Sequence, residues 1–598
     1  MQDDKSGFNH QVSRRNFLAS GGAAMVAGFA DRANGQGDTV RPESPSDAPV
    51  KATRPSRKQN IIIFQPDEMR ADALSCYGNP ITKTPNFDKL AKMGTLFENC
   101  NVQYPVCGAS RCSMLTGWPT SVRGHRSLFY YLRPNEPNLF RYLKDAGYDV
   151  FWYGKNDALA AQSFYGSVTE WNYPKINLGH SHTTQAHNHK SAFAQRIIGP
   201  HTFITEPRGE PHHTGDYEHV QNAIRILERR ESDRPFCIFL PLSFPHPPYG
   251  APTGFYDMYK AADIHGLRPI GLPKRPSYVD GIRELYGLDK VPESTFRQIR
   301  ALYYGMVSYS DWLMGHILEA VERTNHSKDT AILLLSDHAD YAGDYGLVEK
   351  WPSGLEDSLT HVPLIAHVPG ATEGHRVKNV VELFDMMATC LDLAQTEAQH
   401  THFSQSLLPQ IYGGQGDANR AGFCEGGYNT YEPQCFEPLG NSPEELYYPK
   451  SLLQDKYPQT ISRAAMVRTH DYKLISRPQG QSELYIYAED PHELNNRYGD
   501  KAVADIQHMM QQRLLHWYVN TTGIAPFDKD QRGLPPYYPT PTFKSSSSSA
   551  SQPVSLSAGA DSATDKPPPC LQVLEVLQWL YVIQQCKGTR AVSSKAPF

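Results

Sequence analysis

Asn60-Ile-Ile-Ile-Phe64-Gln-Pro-Asp67-Glu68 is a short, apolar, β-branched run that stops at a proline and two carboxylates. A run of this length without polar alternation reads as a strand buried on both faces, the pattern of a parallel sheet covered by helices. Acids just past such a strand lie at the edge where α/β sheets place ligands, although adjacent acids also cap helices. Ala331-Ile-Leu-Leu-Leu335 repeats the arrangement and ends in Ser336-Asp337-His338. Two parallel strands delivering acid-rich pairs to one sheet edge would build an oxygen-rich cation site. Hard carboxylates suit Ca²⁺ or Mg²⁺ better than zinc.

Moving outward, Val150-Phe-Trp-Tyr153 and Pro235-Phe-Cys-Ile-Phe-Leu240 read as further buried strands. The first follows a helical pattern over Asn138–Asp149 and runs into Gly154-Lys155-Asn156-Asp157. The second runs into Pro241-Leu-Ser-Phe-Pro-His246-Pro-Pro248, where flanking prolines hold a histidine by its backbone. Thr84–Gly94 carries apolar residues at helical spacing and a glycine stop, predicting an amphipathic helix. Strands alternating with helices in this way predict an α/β fold with a mostly parallel sheet.

The chemistry concentrates in Tyr104-Pro-Val-Cys107-Gly-Ala-Ser-Arg111-Cys-Ser-Met-Leu-Thr-Gly117. Pro105 and Gly108 favour a turn that presents Cys107 at a loop end, and Ser110–Leu115 would begin a helix whose free N–H groups favour an anion, with Arg111 facing it. The stretch resembles the type I sulfatase signature, Cys-x-Pro-Ser-Arg-x-x-x-Leu-Thr-Gly, at Cys107, Ser110, Arg111, Leu115, Thr116 and Gly117. It departs at Ala109, where that family has proline. Thr84–Gly94, the Gly154-Lys155 turn, the His246 loop, Ser336-Asp337-His338 and Gly346-Leu-Val-Glu-Lys350 resemble the same family, in family order over about residues 58–395. Asp157 and Tyr345 stand where histidines are usual.

The resemblance implies an alkaline-phosphatase-like fold and hydrolysis of sulfate monoesters, on carbohydrate or aryl groups. It implies that Cys107 is oxidised to formylglycine (3-oxoalanine) by a maturase. Asp67, Asp337 and His338 would hold Ca²⁺ or Mg²⁺, with Glu68 as a fourth ligand and modified Cys107 adding an oxygen. Arg111, Lys155 and Lys350 would neutralise sulfate oxygens, and His246 would protonate the leaving group. With Asp157 replacing the usual second-step histidine, His125, in Val122-Arg-Gly-His-Arg126, is a candidate base, its alternative being a tie for its own loop. Two further readings stay open: a phosphodiester or phosphonate monoester hydrolase of the same superfamily, and a non-catalytic glycan-binding relative with an unmodified Cys107.

The chain has 598 residues, long enough for a large core. With 58 Lys and Arg against 63 Asp and Glu, and no long basic run, it has no signature of a nucleic-acid surface. The ten cysteines follow no zinc spacing. Cys424 and Cys435 are placed to pair in an oxidising compartment.

Ser13-Arg-Arg-Asn-Phe-Leu18 and the small apolar run to Ala30 predict a twin-arginine-type export signal over residues 1–33, and thus a periplasmic or secreted protein. A linker covers 34–57, a catalytic domain 58–395, and a C-terminal subdomain 396–540 carries an antiparallel sheet around Met466–Ile475 and Glu483–Tyr487. A low-complexity tail, 541–598, includes an apolar stretch from Leu571 to Ile583, too short to span a membrane. Oligomeric state is not legible.

Overall fold

The computed structural model describes residues 57–172, 201–439 and 445–525, with Pro55 and Pro443. All of these lie in one compact unit, Met1–Leu534. The export signal, most of the linker and the apolar stretch at Leu571–Ile583 fall outside the described residues.

Eight strands make the central sheet: β1 (Asn60–Gln65), β2 (Thr95–Phe97), β3 (Asp149–Trp152), β4 (Glu170–Trp171), β5 (Phe236–Pro241), β6 (Thr330–Leu335), β7 (Leu364–His367) and β8 (His375–Val377). Their order is β8-β2-β7-β6-β1-β5-β3-β4. β7 runs against both of its neighbours, and every other pairing is parallel. As the unbroken apolar run requires, β1 is central, between β6 and β5, with Ile61, Ile62, Ile63 and Phe64 fully buried. Each such side chain contributes about 1.5–3 kcal/mol of transfer free energy. Helices cover the sheet, among them α1 (Pro85–Met93), α2 (Cys107–Thr116), α3 (Gly215–Arg229) and the 31-residue α4 (Glu293–Arg323), which packs against α1 and α3.

The apolar stretch His361–Gly370 does not make one strand. Pro363 interrupts it: His361–Val362 pairs with Cys100–Asn101 in a separate three-stranded sheet, and Leu364–His367 becomes β7. A four-stranded antiparallel sheet joins β9 (Gly422–Gly426), β10 (Ala464–Arg468), β11 (Tyr472–Ser476) and β12 (Glu483–Ile486) in sequence order. A C-terminal helix, Ala504–Thr521, closes one face of it through Met510 and Leu514. Cys424 and Cys435 are both free thiols, so the disulfide expected between them is absent. Among the described residues, no helix is long and apolar enough to cross a membrane.

Candidate active site

Register explains why the two acid-rich strand ends meet. β1 pairs with β6 at Phe64 and Leu334, and three residues further on each strand are Asp67 and Asp337. Gln65 on β1 pairs with Pro241 on β5, and the Lys155 N–H, just past β3, donates to the Pro241 carbonyl at 2.8 Å. That approach needs a glycine at 154, which has φ +138°, because a Cβ there would lie 2.2 Å from the Pro241 oxygen. The three loops after β1, β3 and β6, and the one after β5, therefore converge on one edge of the sheet.

Cys107 meets them from α2. The helix begins at Cys107 itself rather than at Ser110, so the thiol sits in the first helical turn instead of on a loop end. Cys107 Sγ lies 3.1 Å from His338 Nε2, 3.6 Å from Asp67 Oδ1 and 3.7 Å from Lys155 Nζ. Two bonds lock α2 to β6: Ser110 Oγ donates to the Asp337 carbonyl at 2.5 Å, and Arg111 Nε donates to Asp337 Oδ2 at 2.7 Å. Arg111 also stands 3.5 Å from Asp67 Oδ2.

Glu68 occupies the left-handed region at φ 64°, an unfavourable state for a glutamate that its surroundings enforce. Its N–H donates to Asp337 Oδ1 at 3.3 Å, and its carbonyl accepts from the Tyr303 hydroxyl at 2.6 Å. Its side chain pairs with Lys350 and lies 3.1 Å from His246 Nε2.

The donor set could hold a metal ion. Asp67, Glu68, Cys107 and His338 each offer a ligand atom within 4.8 Å of the others, and Glu68 Oε2 is a buried oxygen with no hydrogen-bond partner. His338 Nδ1 faces the Ala339 carbonyl at 2.9 Å, which leaves Nε2 turned toward the cluster. Asp337 is beside these four, its Oδ1 taken by the Glu68 and His338 N–H groups and its Oδ2 by Arg111.

Charge in this buried edge is strongly organised. Burial alone would raise the Asp67 carboxyl, but Lys155 and Arg111 overcome it and hold it well below the usual range. Burial wins at Glu68, where Glu349, Asp340 and Asp67 add repulsion against the pull of Lys350, and its carboxyl is pushed well up. Burial, then Lys350 and Lys155, press His246 well below the ordinary imidazole value. Burial and Asp67 push the Cys107 thiol up, so an unmodified thiol here is a poor nucleophile. Burial opposes the ammonium charges of Lys155 and Lys350, yet Asp157 and Asp67 for the first, and Glu349 and Glu68 for the second, keep both protonated.

Of the residues anticipated from sequence, the structure brings together Asp67, Glu68, Cys107, Arg111, Lys155, His246, Asp337, His338 and Lys350. His125 belongs to none of these contacts. Its Nδ1 faces the Tyr130 carbonyl at 2.6 Å and its Nε2 faces Glu136 Oε1 at 3.1 Å, the arrangement of a loop tie. Asp157 sits at the site, 3.0 Å from Lys155 Nζ. Glu349, Lys450 and Glu437 were missed. Lys450 Nζ bridges Glu349 Oε2 at 3.3 Å and Glu437 Oε1 at 3.2 Å, beside a cavity that opens onto Cys107, His246 and Lys350. Glu349 adjoins a lysine already singled out; Lys450 carried no local signal.

Comparison with known proteins identifies the family and the fold. Residues 59–396 match the family described as Sulfatase, and residues 441–520 match N-sulphoglucosamine sulphohydrolase, C-terminal. The chain is 27% identical to human iduronate 2-sulfatase, over 52% of its own length and 60% of that protein. It is 28% identical to an arylsulfatase of Clostridium perfringens, over 56% of its length and 75% of that protein. It thus spans about 60% of the length of the iduronate 2-sulfatases it matches. Among solved structures, the phosphonate monoester hydrolase of Agrobacterium radiobacter superposes with a TM-score of 0.60 at 21% identity, covering 78% of this chain and 96% of that one. That likeness places the fold as alkaline-phosphatase-like.

Proposed function

Because the chain belongs to the sulfatase family, whose match covers more than half of it, we propose that it hydrolyses sulfate monoesters with a nucleophile made from Cys107. The observation that carries this is the convergence of Cys107 on Asp67, Glu68 and His338, with Lys155 at 3.7 Å and Lys350 on the Glu68 side. Oxidised to formylglycine and hydrated, residue 107 would supply one hydroxyl to attack sulfur and a second to expel sulfate afterwards. A serine or thiol in its place lacks the second group.

Asp67, Glu68, Asp337 and His338 would hold one divalent cation, Ca²⁺ by donor type with Mg²⁺ as the other hard candidate. Bound there, it would withdraw charge from sulfate oxygens. Arg111 has a different task. Fully buried and fixed on Asp337 and Asp67, it holds the carboxylates in place as much as it faces an anion. Lys155 and Lys350 lie on either side of the cluster and neutralise charge that builds on the equatorial oxygens. His246 Nε2, 3.2 Å from Lys350 Nζ, is the group positioned to give a proton to the leaving oxygen. A bound sulfate anion would offset the share of Lys350 and Lys155 in a depression that is chiefly due to burial. For release of sulfate, Asp157, paired with the Lys155 that touches Cys107, is better placed than His125, which faces Tyr130 and Glu136 and touches no residue of the cluster.

A maturase acting on Cys107 and export through Ser13–Leu18 are parts of the same proposal. Folded export lets the maturase act before translocation. Peptide mass spectrometry of residue 107, from a host with the maturase, tests the first step. Kinetics on one aryl sulfate and one aryl phosphodiester test the second. Unmodified thiol throughout, or turnover of the phosphodiester alone, would overturn the sulfatase reading.

A further inference from the structure

An open cavity adjoins Cys107, His246 and Lys350, and on the sulfatase reading it receives the alcohol portion of the substrate. Its charged side chains, Lys350, Lys450, Glu349 and Glu437, are two cations and two anions that compensate one another. Lys450, with only 2% of its side chain exposed, has its ammonium between the carboxylates of Glu349 and Glu437. Lys350 is drawn to Glu68 and Glu349 on the sulfate side. Beyond the sulfate position, the described lining therefore offers no uncompensated cation.

The remaining wall is Leu128, Phe129, Pro438, Tyr447 and Ser451. Phe129 is 39% exposed, an unusual state for a phenylalanine and suited to stacking on a ring. A second carboxylate or sulfate on the leaving group would give up its water here and face Glu349 and Glu437.

We infer that this cavity selects sulfate esters of uncharged, ring-bearing alcohols or phenols and rejects substrates carrying a second anionic group close to the ester. The inference rests on the sulfatase reading and adds the substrate class to it. Glu437 is the specificity-determining residue: it keeps Lys450 from serving a substrate anion.

The test compares 4-carbamoylphenyl sulfate with 4-carboxyphenyl sulfate on the formylglycine-bearing enzyme, as a ratio of kcat/KM measured in one preparation so that the active fraction cancels. The neutral ester is expected to lead by on the order of 100-fold, the scale of desolvating an anion that finds no free cation. Glu437→Gln, which frees one side of Lys450, should shrink that ratio at least about tenfold. Equal or better turnover of the carboxylate by the unmodified sequence would overturn the inference, as would a ratio that Glu437→Gln leaves unchanged. If only phosphonate monoesters turn over, the sulfatase reading fails separately. The same neutral and charged pair made as phosphonate monoesters then reads the cavity. In a preparation without turnover, the ratio of the two calorimetric dissociation constants reads the ground-state part of the same discrimination, with the neutral sulfate expected to bind tighter.

Discussion

Glu349→Gln isolates the charge that holds Lys350 in place. Glu349 is 2% exposed, sits in the left-handed region at φ 60°, and pairs with Lys350 on one side and Lys450 on the other. Burial would raise its carboxyl, but the two lysines and hydrogen bonds from Lys350 outweigh it and hold the group at about 2 against an ordinary 4.5. A carboxyl depressed on folding contributes stability that is complete above its unfolded value and is lost as the pH falls toward the folded one. The size at pH 7 is about 3 kcal/mol, falling to roughly half by about pH 3. Glutamine keeps the shape and removes the charge. Urea denaturation of both proteins should therefore show the variant less stable by about 3 kcal/mol at pH 7, with the gap narrowing as the pH is taken down to about 3. Equal stability at pH 7, or a gap that does not change with pH, would refute the claim that the Glu349 carboxylate anchors these lysines.

Asp67→Ala removes a proposed metal ligand and the shared partner of Lys155 and Arg111. It should abolish turnover and destabilise the fold by about 3–5 kcal/mol, read by denaturation and metal analysis. Metal analysis of the unaltered protein should give one Ca²⁺ or Mg²⁺ per chain, and a stoichiometric pair of zinc ions would contradict the hard-cation assignment. For His246, pressed well below its ordinary value chiefly by burial, protonation occurs only in acid. In the free enzyme kcat/KM for a poor leaving group should thus rise only on the acid side of the ordinary imidazole range, and that limb should vanish in His246→Ala. His125→Ala should keep its steady-state turnover per active site, while Asp157→Asn should accumulate sulfated enzyme after a burst of one product equivalent, followed by stopped-flow and intact mass.

The central strands were legible because their burial on both faces leaves an unbroken apolar run, as in Ile61–Phe64 and Ala331–Leu335, and their acid-rich ends follow directly in the chain. The positions that build the far wall of the cavity were not. Lys450 lies on a short helix, Tyr448–Lys456, about a hundred residues after Glu349, and only the folded chain shows that its ammonium is balanced by two carboxylates. Local pattern likewise gives no sign that His361–His367 divides at Pro363 between two sheets, nor of the reversed direction of β7, since antiparallel pairing leaves the same apolar composition. His125 shows a reading that local sequence leaves open between a base and a loop tie. What bears on it is whether the ring reaches the cluster around Cys107, and its two nitrogens face Tyr130 and Glu136 instead. The residues that sequence places at the cluster are those whose position is set by the backbone segment that carries them. Residues whose placement depends on a distant partner, such as Lys450 on Glu349, emerge only from the assembled site.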